Sequence, residues 1–148
     1  MKILIQNQQK HIHLDLKKIK KVTIELLNEL DLPEAELSIL FVDDQKIQEL
    51  NQKYLKRNKP TNILAFPMRK GEFPCLHPNL LGDLVISVET AKRESNRFGL
   101  NEFDMIILLI VHGILHLLGY DHEGGKKEAR EMALKQKELF SSINKKHR

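Results

Sequence analysis

The spacing of apolar positions changes several times along the chain, and each change predicts an element. Met1–Gln8 opens with KILIQ, a short strand. Asp15 is placed to cap a helix, and Leu16, Ile19, Thr23, Leu26, Leu27 and Leu30 then recur at helical spacing until Pro33. Leu37, Ile39 and Phe41 alternate with Ser38, Leu40 and Val42, which reads as a strand buried on much of both faces. Asp43 or Asp44 caps a second helix with Ile47, Leu50, Tyr54 and Leu55 on one side, and Pro60 stops it. Asn62–Phe66 reads as a strand closed by Pro67, Arg69–Asn79 as a loop, and Gly82–Ser87 as another strand. Ser87 caps a helix that Gly99 ends. Asn101 and Asp104 resemble a capping box opening Phe103–Leu118, a helix apolar nearly all round and therefore expected at the centre. A last amphipathic helix runs from Glu123 to about Asn144.

Strands and helices alternate first, and helices then dominate. The order predicts an α/β (α+β) fold: a mixed sheet of about four strands packed with about five helices, with no repeat or linker to divide residues 1–148. Its 148 residues suit one domain that buries enough surface to fold without a disulfide. The single cysteine, Cys75, allows no intramolecular disulfide and fits a reducing compartment. The opening segment has no apolar core of signal-peptide length, and no apolar run reaches the ~20 residues of a membrane span. The expectation is a cytoplasmic protein with no membrane partner. A net charge of +4 and a pI of about 9.1 mildly favour an anionic partner, although a Lys-rich surface has the same balance.

The chemistry concentrates in VHGILHLLGYDHEGG, Val111–Gly125. His112 and His116 are four residues apart, so a helix sets them one turn apart on one face. Gly119 suits a turn after the helix, and His122 can return toward the pair. The pattern H-x-x-x-H-x-x-G-x-x-H provides three imidazoles for one metal ion. Structural zinc sites usually take four protein ligands, so three point to a catalytic site with a position for water. Nitrogen-only ligation suits one Zn²⁺, with Ni²⁺, Cu²⁺ or Fe²⁺ as alternatives. The motif differs from the metzincin signature at Gly113, where zinc peptidases carry the glutamate base.

His112–His122, HGILHLLGYDH, resembles the hallmark of the YbeY family of bacterial single-strand-specific metallo-endoribonucleases. Asn51–Pro67 and Leu81–Ser87 resemble two further family segments, and together the matches span about half of the chain. The resemblance implies His112, His116 and His122 as zinc ligands in a cleft of an α/β fold. It implies hydrolysis of single-stranded ribosomal RNA, in maturing the 16S 3′ end on the small ribosomal subunit and in ribosome quality control. The family arginine that follows the Tyr/Phe of the second segment is replaced by Leu55, and Arg57 is the nearest arginine to contact a phosphate. Ala65 and Ile63 replace the usual serine and valine.

Asp83, at the start of its strand, is a candidate second acceptor for a ligand histidine, or a local backbone partner. Asp121 suits a turn role beside His122, and Thr61 and Asn62 suit either the cleft floor or a turn. Cys75 and His77 lack a third group to orient them as a nucleophile pair. His11, His13 and His147 fit exposed positions near the termini. The basic run Lys10–Lys21 and the tail NKKHR read either as RNA phosphate contacts or as a solvated helix face and a frayed end. Besides the endoribonuclease, two functions fit the metal cage: a hydrolase of the peptidase-like zincin class, and a non-enzymatic ribosome-assembly protein with structural zinc.

Overall fold

A computed structural model describes residues 1–68, 79–121 and 124–146. Four strands, β1 (Lys2–Asn7), β2 (Glu36–Val42), β3 (Ile63–Pro67) and β4 (Leu80–Ser87), form one sheet in the order β1-β2-β4-β3. The pairs β1–β2 and β2–β4 are parallel, and β3 runs antiparallel to β4 as an edge strand. The helices are α1 (Leu16–Glu29), α2 (Asp44–Leu55), α3 (Val88–Phe98), α4 (Glu102–Leu117) and α5 (Lys126–Lys146). The expected mixed sheet with five helices is therefore observed.

Capping decides where the helices begin. The Asp15, Asp43, Ser87 and Asn101 side chains accept backbone N–H bonds from Lys18, Lys46, Thr90 and Asp104, satisfying donors that the first helical turn leaves unpaired. Of the two aspartates expected to cap α2, Asp43 does so. Asp44 instead receives hydrogen bonds from the Ser87 and Thr90 hydroxyls and an ion pair from Arg93, which ties α2 to β4 and α3.

Alternation along the strands sorts the helices between the two faces. Val42, Leu64 and Val85 meet Ile47 of α2 on one side, while Leu37, Ile39, Phe41, Leu84 and Ile86 join the larger core of α1, α3, α4 and α5. Helix α4 buries nine apolar side chains, all of its buried residues but Gly113. Each is worth roughly 1.5–3 kcal/mol of burial, so α4 is held in place more firmly than its own propensity could hold it.

One irregularity resets the alternation. The β2–β4 register shifts between Glu36 and Leu37, which pair with Leu80 and Gly82 and leave Leu81 as the extra residue. Gly82 takes φ 142°, and a Cβ there would lie 2.2 Å from the Phe66 carbonyl oxygen. Only glycine fits this close approach.

On α2 the apolar side expected from Tyr54 and Leu55 is not buried: they are 55% and 49% exposed. Asn51 is buried beside Ile47 instead, while Tyr54 meets the Phe66 ring of β3 edge to face with centroids 5.4 Å apart. The helix ends at Leu55, before Pro60, through Lys56 in a left-handed conformation. Among the described residues no single helix is long and apolar enough to cross a membrane.

Candidate metal centre

The last turns of α4 carry His112 and His116 on its one flank that escapes the core; both are half-buried, between buried Val111, Gly113, Leu115 and Leu117. Their Nε2 atoms lie 3.1 Å apart, and the rings meet edge to face with centroids 4.6 Å apart. Two nitrogens bound to one tetrahedral zinc at 2.0–2.1 Å stand about 3.3 Å from each other. The pair is thus already spaced as one edge of such a site, and its all-imidazole chemistry fits a zinc ion.

Gln136 of α5 supports this arrangement. Its Oε1 can only accept, so the His112 Nδ1–H donates to it at 2.7 Å. The neutral ring then carries its lone pair on Nε2, the atom that faces His116. Sequence reading missed Gln136, although a signal was there. Met132, Leu139 and Ile143 are the buried positions of α5, and Gln136 falls on that stripe, four residues after Met132 and three before Leu139. A polar residue at a core position of an amphipathic helix asks for a partner.

Beyond His116 the helix closes as expected for Gly119. Gly119 takes φ 99°, its N–H bonds the His116 carbonyl, and the Tyr120 N–H bonds that of Leu115, a Schellman turn. The chain then passes Asp121, whose carbonyl accepts from the Gly124 N–H. His122 lies outside the described residues, as do Glu123, Cys75, His77 and His147.

Gly113 packs against the sheet. A Cβ there would come within 2.7 Å of Ile63 Cδ1 and Leu84 Cδ2. The position where zinc peptidases carry their base therefore faces the core, where a side chain would have to displace the ends of Ile63 and Leu84.

Facing the histidines across a cleft of ≈ 830 Å³ are β3 and the loop before it. The lining includes Leu55, Arg57, Thr61, Asn62, Ile63 and Ala65 opposite His112, His116, Tyr120 and Asp121. Leu55 and Arg57 thus share the wall, so a guanidinium is present although the position of the family arginine holds leucine. Asn51, 2% exposed, fixes this loop: its Nδ2 donates to the Lys59 carbonyl at 2.9 Å, and its backbone carbonyl accepts from the Arg57 N–H at 3.3 Å.

Asp83 does not serve the histidines. It is exposed and faces a different groove, with Ser38, Leu40 and Tyr54 on the α2 side of the sheet. Strand alternation sets this parity: Gly82 and Leu84 turn toward α4, so Asp83 between them turns away. The acceptor expected of Asp83 is Gln136. His11 and His13 are exposed as expected, and Lys17, Lys18, Lys20 and Lys21 form a solvated face of α1.

His11, Asp43 and Glu89 also bring metal-ligand atoms within 4.8 Å of one another. Those carboxylates already serve helix starts: Asp43 caps α2, and Glu89 accepts from the Asp44 N–H at 2.9 Å. The His112–His116 pair is tighter and opens into the cleft.

The family profile described as Endoribonuclease YbeY matches residues 4–144. The chain belongs to that family. Proteins named Endoribonuclease YbeY from Syntrophus aciditrophicus and Aquifex aeolicus are 48% and 40% identical to it. The first alignment covers 95% of this chain and 88% of the relative, the second 97% and 93%. The solution structure of TM1509 from Thermotoga maritima matches with a TM-score of 0.68 at 26% identity, over 95% of this chain and 88% of that one. The YbeY family match thus extends well beyond the histidine motif, through both walls of the cleft.

Proposed function

We propose that residues 1–148 form one zinc-dependent endoribonuclease domain that cleaves single-stranded ribosomal RNA. One observation carries the reading. Two imidazole nitrogens converge at the spacing of a tetrahedral edge, on the wall of a cleft that Arg57 also lines. The names of the YbeY relatives support an endoribonuclease. The sequence motif supports His122 as the third ligand.

His112 and His116, with His122 as the third ligand that the motif supports, would hold the zinc, and it would supply a lowered pKa for a water molecule and a Lewis acid for a phosphoryl oxygen. The chain's own residues do the rest. Gln136 holds His112 in the tautomer that leaves Nε2 available. The Schellman turn at Gly119 directs the chain back toward the pair. The Arg57 guanidinium, exposed on the cleft wall, binds a substrate phosphate and offsets the charge that develops there. With no tryptophan and only two tyrosines in the chain, recognition rests on backbone shape more than on base stacking. Maturation of the 16S 3′ end and ribosome quality control, on the small subunit in the cytoplasm, are the roles that the family resemblance supports.

The packing of Gly113 argues against a peptidase. The test joins metal analysis of the purified protein to cleavage of a defined single-stranded RNA, with His112→Ala purified in parallel. Zinc near one equivalent is expected, with cleavage lost in the variant and on chelation while the fold persists. Equal cleavage by the variant defeats the enzyme reading, and unfolding on chelation supports structural zinc instead. Arg57→Ala should weaken cleavage and leave metal content unchanged. Products ending in 2′,3′-cyclic phosphate would replace hydrolysis with internal attack by the 2′-hydroxyl.

A further inference from the structure

Strand β3 is an edge, and its free side opens into the cleft. The Ser87 N–H bonds the Asn62 carbonyl and the Met68 N–H bonds that of Leu81, both at 3.0 Å. With the antiparallel register Leu64↔Val85 and Phe66↔Asp83, residues 62, 64, 66 and 68 therefore spend their backbone groups on β4. The N–H and C=O groups of Ile63 and Ala65 point the other way, and among the described residues no hydrogen bond takes them up. Their side chains pack toward α4. Pro67 is next in the outward row and has no N–H to offer.

We infer that this free edge reads the sugar–phosphate backbone: the N–H groups of Ile63 and Ala65 donate to successive phosphates, and their carbonyls accept from 2′-hydroxyls. The inference rests on the endoribonuclease reading and adds how the cleft selects RNA. An RNA backbone provides acceptors on phosphate and donors on the 2′-hydroxyl, whereas DNA provides no such donor. The outward groups repeat about every 6.8 Å, two residues of strand, on the order of one extended nucleotide. A peptide strand would use the same groups but needs a longer donor row, and Pro67 ends this one. The +4 net charge and Arg57 on the same wall also favour a polyanion.

The test uses the zinc-loaded protein and a ten-nucleotide RNA carrying single 2′-deoxy substitutions at each position in turn. Two positions away from the scissile bond should lower kcat/KM by about fivefold or more, a neutral hydrogen bond's worth, and 2′-fluoro at those positions should not restore it. A second arm uses Ala65→Pro, which removes an outward donor that an edge strand does not need for its own pairing. It should lower kcat/KM about tenfold, the effect of one bond to a charged group, with melting temperature and zinc content unchanged. It should also make the enzyme indifferent to a methylphosphonate at one linkage. Cleavage insensitive to every 2′-deoxy position outside the scissile nucleotide overturns the inference while leaving the nuclease intact; no cleavage of RNA at all overturns the nuclease reading itself. If Ala65→Pro unfolds the protein, the 2′-deoxy arm on the unaltered chain still decides. Ala65→Pro losing affinity for an extended peptide rather than RNA assigns the edge to a polypeptide and overturns it too.

Discussion

The two walls of the cleft are built by different physics. The α4 wall is a side-chain surface: nine buried apolar residues fix the helix, Gly113 seats it on the sheet, and Gln136 orients one imidazole. The β3 wall is a backbone surface, an edge strand paired on one side and preceded by a loop that the buried Asn51 ties down. A rigid helix suits metal ligands, which tolerate displacements of only tenths of an ångström. A strand edge presents repeating donors and acceptors, which suits a polymer. Removing parts of one wall should therefore cost metal, and removing parts of the other should cost substrate.

Gly113→Glu attacks the junction of the walls. It drives a carboxylate into Ile63 and Leu84, and a loss of about 4 kcal/mol or more is expected in denaturant unfolding. The variant gains no peptidase activity. A soluble, stable Gly113→Glu protein would show that the helix does not sit against the sheet as closely as described.

Gln136→Leu keeps the side chain's size and removes the acceptor. Zinc affinity should fall about 10- to 100-fold in a competitive chelator titration, with little change in melting temperature. The ring nitrogens' NMR shifts should show His112 losing its single tautomer. Unchanged affinity would make Gln136 a packing residue only.

Asn51→Ala tests the other wall. Losing the bond to the Lys59 carbonyl should cost about 1–2 kcal/mol and raise KM for RNA, with zinc content constant. Loss of zinc in this variant would erase the distinction between the walls.

The smallest effect concerns the joint that holds α2, and with it the loop, onto the sheet. Partial burial alone would push the Asp44 carboxyl up. Hydrogen bonds from Ser87, Thr90 and Arg93, with the Arg93 charge, outweigh it and hold Asp44 below the usual carboxylate value of 3.8. A pKa depressed by folding adds stability that is present above the unfolded value and is lost as pH falls through the folded one. The melting-temperature gap between the unaltered protein and Asp44→Asn should therefore be constant near neutrality and narrow on acidification below about pH 4. A gap unchanged at pH 3 would remove the ionised carboxylate from the account.

What could be read from the sequence was local. Caps at Asp15, Ser87 and Asn101, the glycine turns at Gly99 and Gly119, and the four-residue spacing of His112 and His116 all depend on groups within one or two helical turns of one another. Interactions of that range are written into adjacent positions, so periodicity and residue type sufficed. What sequence reading misassigned depended on long-range placement. Asp83 faces away from the histidines because its neighbours Gly82 and Leu84 are the ones that pack toward α4, and strand alternation puts Asp83 on the other face. Tyr54 and Leu55 stay about half exposed because the buried positions of α2 are Ile47 and Asn51. Gly113, first notable for a missing carboxylate, is a contact point between helix and sheet. Gln136 reaches His112 across 24 positions because α5 folds back along α4. The sequence by itself determined that His112 and His116 stand one helical turn apart on one face; the packing of α5 and the sheet against α4 decided which ring nitrogen faces the cleft, because a tautomer is chosen by the partner on the ring's other side.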